Sequence, residues 1–155
     1  MIITAWRITQ EIHASSAFTG IGAWLEGGRW NRKGFHMIYT AGSLALAALE
    51  IVVHLPEDAL LYNHYVRIPV QFDSGQVIEL PMSDLPENWN DHPPSESTQE
   101  IGTSWVAAKS SLVLKGPSSV IPEEYNFLIN PLHPDISQLN IGKAEPFKFD
   151  PRIKR

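Results

Sequence analysis

With 155 residues and 43% hydrophobic content, the chain has the length of one domain with its own core, and a single domain over residues 1–155 is expected. Seventeen acidic and twelve basic residues leave a formal charge of −5, and the basic ones are spread along the chain, which argues against nucleic-acid binding through phosphate neutralisation. The absence of cysteine excludes disulfides, thiolate catalysis and thiolate metal sites.

The chain opens with "MIITAWRITQ", which has neither the basic nor the apolar region of a secretory signal. No apolar run approaches the roughly 20 residues of a membrane span, so a soluble cytoplasmic protein without membrane contact is expected. "IITAWRIT" alternates and is rich in β-branched and aromatic residues, predicting a strand that carries Arg7. After a polar loop, "GGRWN" and "FHMIYT" flank "RKG", which predicts a β-hairpin with Gly34 in the left-handed position of a three-residue loop. In that register Asn31 faces Phe35, Arg29 faces Met37 and Gly27 faces Tyr39. Arg29 and Tyr39 then share a sheet face as diagonal neighbours roughly 7 Å apart. A two-residue loop would put them on opposite faces.

Ser43 is placed to cap a helix running to about Leu55, because a serine before "LALAALE" accepts a bond from an otherwise unpaired backbone N–H. "ALLYNHYVRIPV" and "QVIEL" read as strands, and "PMSDLPENWNDHPPSES" as a proline-rich loop. Ser97 and Glu100 form a capping-box pattern that opens a helix through about Ser110. "SLVLK", "SSVI" and "PFKF" predict further short strands, with "EEYNFLINPLHPD" a helical turn followed by a loop. The chain has neither internal repeats nor low-complexity segments. Strands and helices interleave without a regular βαβ rhythm, so a mixed α+β fold is expected.

The helix after Ser43 carries one carboxylate. At about 100° per residue, Ser43, Ala47, Glu50 and His54 fall on one stripe roughly 60° wide. Leu44, Leu46, Leu49, Ile51, Val52, Val53 and Leu55 cover the rest, which predicts a nearly buried helix. Burying an unpaired charge is costly, so Glu50 either reaches bulk water or lines a cleft. The small Ala47 one turn earlier leaves room for a close neighbour.

Several other signals carry little. "GIGAWL" starts like a dinucleotide fingerprint, but Leu25 takes the third glycine position and no strand directly precedes it. The six histidines have no compact ligand spacing, so no metal is expected and His54 and His64 read as structural. There is no Gly-x-Ser-x-Gly elbow and no Walker lysine loop. Taken singly, Arg29 reads as a surface arginine, Tyr39 as core packing and Ser118 in "GPSSVIP" as loop chemistry.

The order Arg29, Tyr39, Glu50 and Ser118, within "GGRWN", "YTAGSLALAALE", "LKGPSSVIPEEYNFLINPLHPD" and "PFKFDPR", resembles the RES domain, the toxin of a bacterial toxin and antitoxin pair. The likeness runs from "AWRI" to the last residues. It departs in one place, where Gly116 precedes Pro117 and Ser118 and the family commonly has a branched apolar residue.

The resemblance implies a fold similar to ADP-ribosyltransferases, with a split, twisted mixed sheet, flanking helices and a cleft for NAD. It implies depletion of NAD by hydrolysis or phosphorolysis of the nicotinamide–ribose bond, or, in some relatives, modification of a protein. It also implies an Xre-type helix-turn-helix antitoxin and a homodimer. Arg29, Tyr39, Glu50 and Ser118 are then the catalytic candidates, with Arg7, Arg29, Tyr39, Ser118 and Asn126 as NAD-binding candidates. The residue chemistry fits: arginine donors suit a pyrophosphate and a tyrosine ring suits a nicotinamide or sugar. Glu50 suits the developing charge on the ribose, and Ser118 suits a hydrogen bond to the nicotinamide amide or ribose. Two other readings use the same residues, a mono-ADP-ribosyltransferase with a protein acceptor and a non-catalytic module that binds a regulator.

Overall fold

The computed structural model describes residues 1–153; residues 154–155, included in the expected domain, lie outside the described residues. In chain order the main elements are β1 (Ile2–Gln10), α1 (Ile21–Glu26), β2 (Ile38–Ala41), α2 (Leu44–His54), α3 (Glu57–Tyr62) and β3 (Tyr65–Asp73). There follow β4 (Val77–Glu79), α4 (Glu96–Ala108), β5 (Val113–Pro117), β6 (Tyr125–Ile129), β7 (Asn140–Ile141) and β8 (Glu145–Phe147).

β1 pairs along its whole length with β3, from Ile2 opposite Asp73 to Gln10 opposite Tyr65. Period-2 burial on β3 sends Val66, Ile68, Val70 and Phe72 inward, as the pleat requires. Likewise β2 pairs with β6 at all four of its positions, but β1 meets β2 at only one, Trp6 opposite Ala41. The strand order is β4-β5-β6-β2-β1-β3-β7, with β8 also on β3 and β4 parallel to β5. The mixed α+β expectation therefore holds, and the sheet is split because β1 and β2 diverge beyond their single register point. Helix α2 covers this junction, packing Leu46, Ala47, Ala48 and Val52 with Ile8, Ala41 and Tyr65.

Ser43 caps α2, its hydroxyl accepting from the Leu46 amide at 3.1 Å. The helix is less buried than its composition suggests, since Leu49 and Val53 are 38% and 50% exposed. Gly34 has φ 90°, as expected, but no hairpin joins Gly27 to Tyr39. Residues 27–37 form an irregular loop with one isolated bridge between Gly28 and Asn31. The Asn31 amide folds that loop on itself by donating to the carbonyls of Ala23, Arg32 and Phe35, and β2 takes its partners from β6 and β1.

Five further assignments change. Residues 57–62 are helical, with Glu57 and Asp58 in a favourable first turn after Pro56, and the strand begins only at Tyr65. The cap of α4 is Ser95, whose hydroxyl accepts from the Thr98 amide at 3.3 Å, while Glu100 pairs with Arg32 instead of closing a box; the helix ends at Ala108 with Lys109 left-handed. "SSVI" is a turn because the Ser118 hydroxyl takes the amides of Val120 and Ile121 away from any ladder. "EEYNFLIN" is not helical: Phe127, Leu128 and Ile129 are buried in β6 between β5 and β2, where both neighbours offer ladders. "PFKF" is strand only as far as Phe147.

Candidate active site

The divergence of β1 from β2 opens a cavity of about 790 Å³, in the size class of small-molecule sites. Ala47, Glu50 and His54, the polar stripe of α2, all line it. Of the other candidates Arg7, Arg29, Tyr39 and Asn126 line it as well, and Ser119 does so in place of Ser118.

Glu50 is gripped from two sides. Asn126 Nδ2 donates to Oε1 at 2.8 Å and Ser118 Oγ donates to Oε2 at 3.1 Å. Asn126 also donates to the Thr40 carbonyl at 3.2 Å, which directs its amide nitrogen toward two acceptors. Burial pushes the Glu50 carboxyl above its ordinary range; the Asn126 and Ser118 bonds pull it back, and the nearby Glu124 charge raises it further. Both partners donate, so they favour the ionised carboxylate against the burial that opposes it.

Ser118 is fully buried behind Glu50. Besides donating to Glu50, its oxygen accepts from the amides of Val120 at 3.1 Å and Ile121 at 3.2 Å. That uses the hydroxyl's donor and both lone pairs. The unusual Gly116 leaves this arrangement intact, because it pairs with Asn126 in the β5–β6 ladder and its bare Cα lies near the Trp30 ring.

Arg7 lies on β1 just past the point where β1 and β2 part, and its Nη1 donates to the Tyr39 carbonyl at 3.0 Å. Its buried Nε has no hydrogen-bond partner. Burial lowers the guanidinium's proton affinity, and none of the ion pairs among the described residues involves it. A half-buried guanidinium without a counter-ion among the described residues thus lines the cavity, and its planar donors are of the type that suits an anion.

Arg29 is engaged differently. Its Nη1 donates to the carbonyls of Trp89 at 3.0 Å and Asp91 at 2.7 Å, which ties down the proline-rich loop; the stacked Trp30 and Trp89 rings, 6.4 Å apart, reinforce that contact. Burial lowers its pKa, while the Tyr39 phenol and Asp91 act the other way. Tyr39 donates its hydroxyl to Asn31 Oδ1 at 2.6 Å and accepts from the Trp30 amide at 3.1 Å, and burial raises its pKa well above the usual phenol value.

Sequence reasoning missed the residues that hold this loop from behind. Gln99 donates to the Gly28 carbonyl at 3.0 Å, Thr103 accepts from the Arg32 amide at 3.0 Å, and Gly102 lets α4 approach the Trp30 backbone. Their only sequence signal is a small residue flanked by polar ones on one face of α4. Among the described residues no cluster of three or more His, Asp or Glu is arranged to hold a metal, and no helix is long and apolar enough to cross a membrane.

The profile of the RES domain matches residues 4–150. The chain belongs to the RES domain family. The Toxin Res of Yersinia enterocolitica is 38% identical over 151 residues, covering 96% of this chain and 98% of that one. The Prs ADP-ribosylating toxin of a Sphingobium species is 35% identical over 160 residues, covering 100% and 99%. Among solved structures, the MbcT-MbcA toxin-antitoxin complex of M. tuberculosis contains a chain that superposes with a TM-score of 0.78 at 17% identity, over 99% of this chain and 87% of that one. The split sheet is thus the RES-domain fold, and the protein is a RES toxin.

Proposed function

We propose that this RES domain, one unit over residues 1–155, cleaves NAD at the nicotinamide–ribose bond and so depletes the cell of NAD. A cognate antitoxin of the Xre-type helix-turn-helix class neutralises it, and the active form is a homodimer in the cytoplasm. The observation that carries the reading is the pairing, in one cavity, of a carboxyl group oriented by Ser118 and Asn126 with the half-buried, counter-ion-free Arg7.

The two charged groups divide the work. Arg7 receives the pyrophosphate through the guanidinium donors that its Nη1 contact to the Tyr39 carbonyl leaves over, and Arg29 does the same with those its own Nη1 contacts leave over. Tyr39 offers its ring to the nicotinamide or sugar while its hydroxyl stays engaged with the protein. Breaking the bond puts positive charge on the ribose and releases a neutral base, so no general acid is required, and water or phosphate forms the new bond to the ribosyl carbon. Glu50, fixed beforehand by its two donors, stabilises that charge more than it stabilises bound substrate. Ser118 acts through Glu50, whose orientation it holds.

The test is nicotinamide release by antitoxin-free protein beside Glu50→Gln, with the ribosyl product identified by NMR with and without phosphate. Losing one such group costs about 2.7–4 kcal/mol, so kcat should fall by about 10²–10³ while the fold persists. Wild-type turnover in Glu50→Gln would sink the assignment. A second reading, transfer of ADP-ribose to a protein, is favoured by the end-to-end match to a relative named an ADP-ribosylating toxin. Labelled NAD incubated with lysate would then give a modified band.

A further inference from the structure

Asn31 has no place in the chemistry above, yet it is fully buried and uses its whole side chain. Its Nδ2 donates to the carbonyls of Ala23 at 2.9 Å, Arg32 at 2.9 Å and Phe35 at 3.2 Å, and its Oδ1 accepts the Tyr39 hydroxyl at 2.6 Å. These partners lie on α1, on the loop that follows Arg29, and on β2. The Tyr39 oxygen also accepts from the Trp30 amide, one residue from Arg29, so the phenol and Asn31 together join the two cavity-lining side chains of this wall.

The residue type is dictated by these partners. Two N–H donors shared among three carbonyls and an acceptor for the phenol are needed here, and among side chains of this size only an amide supplies both. Aspartate has no donor when ionised, and leucine has neither group. The phenol in turn sits so close to the loop that a Cβ on Gly28 would lie 2.5 Å from it. Glu50 depends on a separate set of partners, Ser118 and Asn126, which do not touch Asn31.

We propose that Asn31 is the positioning residue for substrate binding: it locks the Tyr39 ring and the Arg29 loop in the geometry that receives the ligand, independently of the Glu50 machinery. This rests on the NAD-cleaving reading. Its consequence is a division of labour in which damage at Asn31 appears in substrate affinity and damage around Glu50 appears in turnover.

The experiment compares antitoxin-free wild type, Asn31→Ala, Tyr39→Phe and the double variant, measuring kcat, KM, calorimetric NAD binding and thermal stability. Asn31→Ala should raise KM and the NAD dissociation constant about tenfold each, with the acid limb of the kcat profile where wild type has it. Tyr39→Phe, which spares the three carbonyl contacts, should raise KM as well, and the double variant should show less than the product of the two effects. If Asn31→Ala does not fold, Tyr39→Phe carries the test, and an unchanged KM there refutes the proposal. A merely structural role predicts the opposite signature for Asn31→Ala: KM unchanged and apparent kcat lowered in proportion to the unfolded fraction. Fully multiplicative effects would mean that Asn31 does not act through Tyr39. Wild type that cleaves no NAD would overturn the functional reading and this inference with it, an outcome distinct from an active wild type with indifferent variants.

Discussion

Replacing Ser118 by alanine removes one oxygen that serves three groups. The hydroxyl donates to Glu50 at 3.1 Å and accepts from the amides of Val120 at 3.1 Å and Ile121 at 3.2 Å. A buried amide left without an acceptor costs about 1–3 kcal/mol. Val120 and Ile121 are only half-buried, so water replaces part of what is lost, and Ser118→Ala should reduce the unfolding free energy in urea by about 2–3 kcal/mol. Activity changes for a different reason. Burial already raises the Glu50 carboxyl, and the variant loses one of the two donors that oppose this, so the carboxyl ionises at higher pH. The acid limb of the kcat profile for nicotinamide release should move to higher pH, with most of the plateau retained above it. Profiles of both proteins, each recorded where it is fully folded, make the comparison. An acid limb that stays in place while KM rises would refute this reasoning and return Ser118 to direct contact with the ligand.

Glu50 itself predicts a pH-dependent stability. Its folded-state pKa lies above the ordinary 4.5, so its contribution to stability is greatest below 4.5 and is lost as pH rises through the folded value; urea curves for wild type and Glu50→Gln should separate over that interval in favour of the variant, and parallel pH dependence would count against it. Arg7→Met exchanges a half-buried cation without a counter-ion for an apolar side chain of similar length; unfolding free energy should stay within about 1 kcal/mol of wild type or rise, while calorimetric NAD affinity falls at least about tenfold. Unchanged affinity would remove Arg7 from the binding site. In Gly102→Ala the new methyl would overlap the Trp30 carbonyl, so α4 must move off the loop that carries Arg29; a loss of about 3 kcal/mol is expected by thermal or urea unfolding, and a neutral result would mean that this contact yields freely.

The part of the site visible in sequence was the part written in local periodicity. Glu50 was located by a stripe on a helix whose cap, Ser43, was also local, and the cavity runs along that stripe. Arg7 was recognisable as a strand residue for the same reason, since β1 alternates. The loop bearing Arg29 departs from the expected hairpin because a hairpin pattern is a backbone argument, whereas Asn31 folds that segment through side-chain bonds to Ala23, Arg32 and Phe35. Similarly, β6 reads as a helical turn in isolation because its strand character comes from the two ladders beside it, one of them with β2, far away in the chain.

By itself, then, the sequence determined the α+β class, the exclusion of thiolate chemistry and the presence of a lone carboxylate on a narrow polar stripe, all properties of composition and near-neighbour spacing. Only the tertiary structure decided what that stripe faces. The separation of β1 from β2 after one register point creates the cavity, the same separation leaves Arg7 on its wall without a counter-ion, and the turn after β5 carries Ser118 behind Glu50. Each depends on residues far apart in the chain, such as Glu50 and Asn126, meeting at hydrogen-bond distance, and spacing along the chain carries no information about that meeting.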